Sequence, residues 1–243
     1  MSSLTSTVKA LVFDMFGSVV DWRGSIVRDL TRWGNENSFQ TDWTLFAEKW
    51  RSMYQPSLEA CRSGKREFTV LDVLHRESLE VLIAEFGLDK MTEAQRAHVN
   101  KVWHRLDGWP DAVGGLTRLK SKYIIAPLSN GNISLLTDIA KYTGLPWDLN
   151  LSTEVFRCYK PQPQSYRGVC SALRLDPSEV MMCAAHNDDL HAAQKCGLKT
   201  AFWPRPTEYG PNQKSNLVAT EAWDIVAKDI RDLAAQMGVG PLA

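Results

Sequence analysis

The second half of the chain alternates short apolar segments with segments of helical periodicity. Alternation of this kind predicts a parallel sheet with helices on both faces. In such a sheet the ligand site lies beyond the carboxyl ends of the strands, so the residues that directly follow the apolar segments are candidates for function. The predicted pairs are residues 123–128 with a helix from about 133, 180–184 with a helix from about 189, and 200–203 with a last helix over about 222–237.

A further apolar segment, residues 8–13, is rich in strand-forming residues and ends at Asp14. Gly17 follows, which is typical of a tight loop after a buried strand. From about residue 24 to 106 no segment predicts a strand, and apolar residues recur at helical spacing. The expected fold class is therefore α/β: a Rossmann-like parallel sheet core with helices on both faces and a helical insertion after the first strand.

Composition excludes several classes of partner. With 44% hydrophobic residues among 243, the chain can bury a substantial core. Its 28 basic and 28 acidic residues cancel, so the protein has no field of one sign that would attract a polyanion. Neither nucleic acid nor an anionic membrane is expected as a partner.

Cysteine use and the N-terminal residues predict where the protein works. Five scattered cysteines without CxxC spacing favour a reducing compartment over a disulfide frame or a zinc site. Residues 1–7 are polar and lack the pattern of a signal peptide. No apolar run approaches the roughly 20 residues that span a bilayer. We therefore expect a cytoplasmic protein.

Polar clusters follow three of the predicted strands: Asp14, Ser129-Asn130 and His186 to Asp189. Each has an ordinary structural explanation. An Asp after a strand often caps a loop or helix, a Ser-Asn-Gly run forms a turn, and carboxylates at a helix start are favoured by the helix dipole. Lys160, before Pro161, is by itself typical of a solvated loop. Their order at successive strand ends nevertheless favours a common site.

Four segments of the chain form a recognisable set. They are Phe13-Asp14-Met15-Phe16-Gly17-Ser18, Ser129-Asn130-Gly131-Asn132, Tyr159-Lys160-Pro161, and Ala184 to Asp189 followed by Ala192-Ala193 and Gly197. Together they resemble the four motifs of the haloacid dehalogenase superfamily, so the resemblance covers essentially the whole chain. Lys49-Trp50-Arg51 is similar to the segment that supplies an arginine in the type II, L-2-haloacid dehalogenases. Tyr166 also matches that subgroup.

The resemblance implies a core domain of residues 1–20 and 107–243 and a helical cap domain of residues 21–106. It implies hydrolytic dehalogenation of a short 2-haloalkanoic acid to the 2-hydroxy acid, with inversion at C2 and without a metal or other cofactor. The partners would be the small halocarboxylate and halide, and the assembly would be a homodimer.

The resemblance also assigns four catalytic residues. Asp14 would attack the halogen-bearing carbon to form an ester, and Arg51 would receive the departing halide. Lys160 would bind the substrate carboxylate and keep Asp14 ionised. Asp189 would deprotonate the water that hydrolyses the ester. The expected substrate-binding residues are Phe16, Ser18, Ser129, Asn130, Tyr166, His186 and Asn187.

The phosphatase branch of the same superfamily is the main alternative. Its members carry a second Asp two residues after the nucleophile and an Asp in the fourth motif that helps to hold magnesium. Here those positions hold Phe16 and Ala185, and neither side chain supplies the oxygen ligand that magnesium prefers. A catalytically idle binding protein is a second alternative, which is disfavoured because all four catalytic residues are present.

His186 departs from the Ser-Ser-Asn form that is common in the fourth motif of the subgroup. Two interpretations are open for it: a hydrogen bond to halide or water, or a histidine in a loop whose hydrogen bonds are satisfied within the protein. The other four histidines fall in helical stretches, where we interpret them as surface or packing residues. They are His75, His98, His104 and His191.

Overall fold

The computed structural model describes residues 3–241, so the first two and last two positions of the predicted core range lie outside the described residues. The strands are β1 (Ala10–Phe13), β2 (Val20–Asp21), β3 (Asp107–Gly108), β4 (Ile124–Pro127), β5 (Val180–Ala184), β6 (Lys199–Phe202) and β7 (Ile225–Val226). The helices are α1 (Ser3–Thr7), α2 (Trp22–Glu36), α3 (Trp43–Arg62), α4 (Leu71–Glu85), α5 (Glu93–Asn100), α6 (Ala112–Lys120), α7 (Ile133–Thr143), α8 (Pro163–Leu173), α9 (Asn187–Lys195) and α10 (Ile230–Gln236).

Five strands form a parallel sheet in the order β4-β1-β5-β6-β7, which confirms the predicted fold class. Strand β1 lies between β4 and β5, with Ala10 opposite Ile124 on one side and Val180 on the other. The ends of these three strands are therefore nearly level. As a result Asp14, directly after β1, lies beside the residues that follow β4 and β5.

Side chains of β1 alternate between two apolar cores, as expected for a strand covered on both faces. Leu11 and Phe13 point into one core, which also includes residues of α6, α7 and α10. Val12 points into the other, which includes residues of α8 and α9. Helices therefore cover both faces of the sheet, and they hold the strand ends in fixed positions.

Residues 22–104 form four helices and a short 3-10 turn at Lys101–His104. Two of these helices begin with a capping aspartate. The Asp21 carboxylate accepts a hydrogen bond from the Gly24 N–H at the start of α2, and the Asp42 carboxylate accepts one from the Leu45 N–H at the start of α3. The chain enters and leaves this helical segment through the antiparallel pair of β2 and β3. We keep the division into a core domain and a cap domain, at residues 20/21 and 106/107, as a proposal.

The predicted last helix over about 222–237 is wrong in its first half. Residues 225–226 instead form β7, which pairs with β6, and the helix begins only at Ile230. The Asp224 carboxylate accepts hydrogen bonds from the backbone and side chain of Thr200, so it holds the chain extended beside β6. Asp229 then caps α10 by accepting from the Asp232 N–H.

None of the helices between residues 3 and 241 is long and apolar enough to cross a membrane.

Candidate active site

A cavity of about 400 Å³ opens at the carboxyl edge of the sheet, between the strand ends and helix α3. All four residues that the sequence predicts to be catalytic line it: Asp14, Arg51, Lys160 and Asp189. Three of them come from the sheet side, whereas Arg51 reaches in from α3. The structure thus brings together side chains that are up to 175 positions apart in the sequence.

Asp14 is 7% exposed and receives three hydrogen bonds at its carboxylate. Lys160 Nζ lies 2.9 Å from Oδ1, while Ser18 Oγ and His186 Nδ1 lie 2.7 and 3.0 Å from Oδ2. Burial alone would favour the neutral acid, but the positive charges of Lys160 and His186 outweigh it and hold the pKa of Asp14 well below its usual range. Asp14 is therefore an ionised carboxylate that is almost fully buried.

Lys160 joins Asp14 to the second buried carboxylate. Its Nζ lies 2.6 Å from Oδ2 of Asp189, and the Tyr166 hydroxyl donates to Oδ1 of Asp189 at 2.6 Å. Burial and the negative charge of Asp14 raise the pKa of Asp189, and together they outweigh the opposing effects of Lys160 and Tyr166. Burial also raises the pKa of the Tyr166 hydroxyl, so this group remains a donor. Asp189 is the weaker acid of the two carboxyl groups and the better proton acceptor.

Arg51 lines the cavity with a cationic group that has one unpaired donor. Its guanidinium carbon lies 4.2 Å from the centre of the Tyr54 ring and 5.4 Å from that of Trp22. Its Nη1 is buried and has no hydrogen-bond partner among the described residues. A buried, positively charged N–H group that has no hydrogen-bond acceptor destabilises the folded protein. An anion in the cavity would remove that destabilisation.

His186 lies between two carboxylates. Nδ1 faces Asp14, and Nε2 lies 2.8 Å from Oε2 of Glu208, which is 1% exposed. Burial disfavours a charged imidazole, but Glu208 and Asp14 together raise the pKa of His186 well above its usual value. His186 is therefore an imidazolium, and both of its ring nitrogens are satisfied by carboxylates.

Four of the seven predicted substrate-binding residues line the cavity: Phe16, Asn130, Tyr166 and His186. The other three, Ser18, Ser129 and Asn187, do not. Ser18 and Ser129 are fully buried, and they contact Asp14 and the Gly131 N–H respectively. The Asn187 amide donates to Asn216 and Val218, and its carbonyl oxygen accepts from Trp223. These three side chains therefore lie outside the cavity surface and contact the residues around it.

Several residues in or next to the cavity are not among the site residues expected from the sequence. Tyr54 and Arg62 extend the α3 face: the Tyr54 hydroxyl accepts from the Asn130 amide at 3.0 Å, and Arg62 donates to the Lys160 carbonyl at 2.8 Å. Both lie one or more helical turns after Arg51, and that spacing is a signal that could have identified them. Glu208 lies in an irregular loop after β6, where no sequence pattern marks it.

The remaining histidines lie outside the cavity. His75 is buried and stacks on Trp103 at 4.2 Å, and burial lowers its pKa to about 3. His104 is also buried, and it hydrogen-bonds Asp72 and Asp138 at 2.8 and 2.7 Å. His104 is therefore an ordered polar contact rather than a packing residue.

Within residues 3–241, no group of three or more His, Cys, Asp and Glu side chains is arranged to hold a metal ion. All five cysteines are free thiols.

Comparisons with known proteins agree with this geometry. The family model described as haloacid dehalogenase-like hydrolase matches residues 8–197. A defluorinating L-2-haloacid dehalogenase of known structure is 47% identical, with a TM-score of 0.93 and 96% of both chains covered. Another L-2-haloacid dehalogenase structure is 45% identical, with a TM-score of 0.93 over 95% of this chain and 99% of that one. The (S)-2-haloacid dehalogenase 4A of Burkholderia cepacia is 27% identical over 239 residues, 95% of this chain and 100% of the relative.

Proposed function

The chain belongs to the family of haloacid dehalogenase-like hydrolases, and we propose that it removes halide from a short (S)-2-haloalkanoic acid through an ester on Asp14. Relatives named (S)-2-haloacid dehalogenase give the substrate class and its configuration. The observation that carries the proposal is the ionised, buried Asp14, which shares one small cavity with Lys160, Asp189 and the cation of Arg51, whose Nη1 has no acceptor. A cavity of about 400 Å³ suits a small acid.

In the first step the Asp14 carboxylate attacks C2 in line with the carbon–halogen bond, so that the configuration at C2 inverts. Halide leaves as an anion and needs no proton. The guanidinium of Arg51, whose Nη1 lacks an acceptor, receives it. Lys160 uses two of its three N–H groups on Asp14 and Asp189. The third is available to the substrate carboxylate.

In the second step water hydrolyses the ester on Asp14. Asp189 is suited to take the proton of that water, because its carboxylate is oriented by Lys160 and Tyr166 and its pKa is raised. The product is the 2-hydroxy acid, and the Asp14 carboxylate is regenerated. Residues 21–106 act as a cap whose closure delivers Arg51 to the site.

Residue chemistry favours this reaction over phosphate transfer. Phe16 stands where a phosphatase of this family needs a second acid, and its ring packs edge-on against Trp103 at 5.8 Å and Tyr54 at 6.5 Å. Ala185, 1% exposed, stands where the metal-binding acid is needed. Neither side chain supplies the general acid or the oxygen ligand for magnesium that a phosphatase of this family uses. An apolar wall at Phe16 suits a carbon–halogen bond.

Two wider features belong to the same proposal. The protein works in the cytoplasm, in agreement with five free thiols and no disulfide. It also assembles as a homodimer, as the resemblance to the L-2-haloacid dehalogenases implies.

The test is a halide-release screen over chloroacetate, fluoroacetate and both enantiomers of 2-chloropropionate, run with and without EDTA. We expect halide release from the (S) enantiomer of 2-chloropropionate and from the unbranched acids that fit the cavity. EDTA should not change the rate of this release. Fluoroacetate is included because one relative is described as defluorinating. Loss of activity in EDTA that magnesium restores, or rapid turnover of p-nitrophenyl phosphate, would contradict the proposal.

A further inference from the structure

The two oxygens of Asp14 are bound unequally. A carboxylate has about four lone-pair positions, two on each oxygen. Oδ2 accepts from both Ser18 Oγ and His186 Nδ1, at 2.7 and 3.0 Å, whereas Oδ1 accepts only from Lys160 Nζ, at 2.9 Å, among the described residues. The position left open for a reacting carbon is therefore on Oδ1.

Both donors to Oδ2 have their protons fixed toward it. The Ala185 N–H donates to Ser18 Oγ at 2.9 Å, so the single Ser18 proton is left for Asp14. The two ring nitrogens of His186 each face an acceptor-only carboxylate, Asp14 on one side and Glu208 on the other. Both nitrogens therefore carry protons. Glu208 is itself fixed by the Trp22 indole N–H, which donates to Oε1 at 3.1 Å.

We propose that Ser18 and His186 form an oxyanion-binding pair for hydrolysis of the Asp14 ester, and that Glu208 positions His186 for this task. The inference rests on the proposed function. In the first step Oδ1 forms its bond to C2 while the carbon–halogen bond breaks, and halide leaves with the electron pair. Oδ2 then becomes the carbonyl oxygen of the ester, and it stays in front of the same two donors.

Hydrolysis places negative charge on that oxygen. Water attacks Cγ of Asp14 and gives one proton to Asp189, and the carbonyl electron pair moves onto Oδ2. Donors already aimed at the position of a developing oxyanion stabilise it without reorganisation. Collapse breaks the Cγ–Oδ1 bond, and the leaving alkoxide takes the proton from Asp189. The new Asp14 carboxyl group carries the second proton of the water and loses it to solvent.

The charges around His186 agree with a donor that stays protonated. Asp14 and Glu208 contact its two nitrogens, Tyr209 faces it from the loop that carries Glu208, and Lys160 lies on the far side of Asp14. The two carboxylates raise the pKa of His186. When Asp14 becomes a neutral ester, Glu208 is the remaining anion in contact with the imidazolium. Glu208 is therefore a positioning residue.

His186→Phe separates the two steps, because it removes the donor while Lys160 still contacts Oδ1. Single-turnover measurements of halide release and of ester hydrolysis, with intact-protein mass spectrometry, are the readout. We expect hydrolysis to slow by about 100-fold or more and halide release to slow much less, so that the substrate adduct accumulates. His186→Asn places a neutral amide donor near the position of Nδ1, so it should restore part of the hydrolysis rate.

The matched control is His191→Phe, because His191 lies on α9 with its side chain 43% exposed and paired with Glu221 outside the cavity. It should leave both steps unchanged. If His186→Phe slows halide release and hydrolysis equally and no adduct appears, the proposed oxyanion pair is wrong. Absence of halide release from the wild-type protein would instead overturn the proposed function, and this inference with it.

Glu208→Gln supplies a readout that does not depend on the fold surviving His186→Phe. Removing one of the two carboxylates lowers the pKa of His186, so the protonated donor is lost at lower pH. The alkaline limb of the hydrolysis rate should therefore move to lower pH, and Glu221→Gln, on the surface pair, should not move it. If the hydrolysis rate of the wild type rises with pH through the titration of His186, this histidine acts as a neutral base and the inference fails.

Discussion

Gly17 and Glu208 are in direct contact across 191 positions of sequence: a β-carbon built on Gly17 would lie 2.0 Å from Oε1 of Glu208. Gly17 also has a φ of +87°, which favours glycine. Because Glu208 is tied to Trp22 and His186, it cannot move aside without breaking those bonds. The Glu208 carboxylate therefore fits against the tight turn after β1 because residue 17 has no side chain.

Gly17→Ala should lower both stability and activity. The left-handed backbone costs an alanine about 1–2 kcal/mol, and the contact with Glu208 adds about 1–3 kcal/mol of overpacking. Gly87→Ala is the control, because Gly87 has a φ of +64° but open space around its β-carbon. Urea unfolding should show the larger loss of unfolding free energy in Gly17→Ala. Equal losses in the two variants would show that Glu208 moves freely.

Arg51→Lys keeps the positive charge but loses the planar group of donors that faces the cavity. We expect kcat/KM to fall by about 100-fold, with a melting temperature close to that of the wild type, because a point charge on a flexible stem replaces fixed donors. The control is Arg66→Lys, since Arg66 pairs with Glu77 at the surface. Nearly normal turnover in Arg51→Lys would move the halide-binding role to Arg62, which also lines the cavity.

Asp189→Asn should permit the first step and block the second. The amide cannot accept the proton of the hydrolytic water, so a protein species heavier by the carboxyalkyl fragment of the substrate should accumulate at Asp14. Peptide mapping by mass spectrometry locates the adduct. Asp89→Asn, a change at an exposed position far from the cavity, is the control. Full turnover in Asp189→Asn would show that Asp189 is not the base that accepts the proton of the water.

The two carboxyl groups predict different pH responses for the two steps. The pKa of Asp14 is depressed, so the nucleophile stays ionised and halide release should be flat through mildly acidic pH. The pKa of Asp189 is raised, so its basic form is lost earlier as pH falls, and ester hydrolysis should slow there. Rapid-quench measurements at lower pH should then show a burst of one halide released per active site, followed by slow turnover. At higher pH this burst should be absent. Parallel decline of both steps would contradict this assignment.

The sequence predicts the parallel sheet well, because the alternation of strands and helices is a local pattern. Apolar strands that end in polar residues place Asp14 and Asp189 at one edge, since the carboxyl ends of parallel strands meet there. Arg51 was predicted from resemblance alone, because helical periodicity does not show which cap residue reaches the core.

Features that depend on tertiary contact could not be predicted. Glu208 lies in an irregular loop, and its partner His186 is 22 positions away with no pattern joining them. The β7 strand is only two residues long, and it exists because Asp224 binds Thr200. Ser18 and Ser129 do not line the cavity, and strand-end position alone does not show which side chains reach its surface.

A single turnover in heavy-oxygen water, with enzyme in excess over (S)-2-chloropropionate, tests the covalent route most directly. Asp14 supplies the oxygen that bonds to C2, so the hydroxyl of the first product should carry ordinary oxygen, and the heavy isotope should appear in Asp14 itself. A positioned carboxylate has a higher effective concentration than water, which favours this route. First-turnover product whose hydroxyl is fully labelled by solvent, with no label in Asp14, would contradict the ester intermediate.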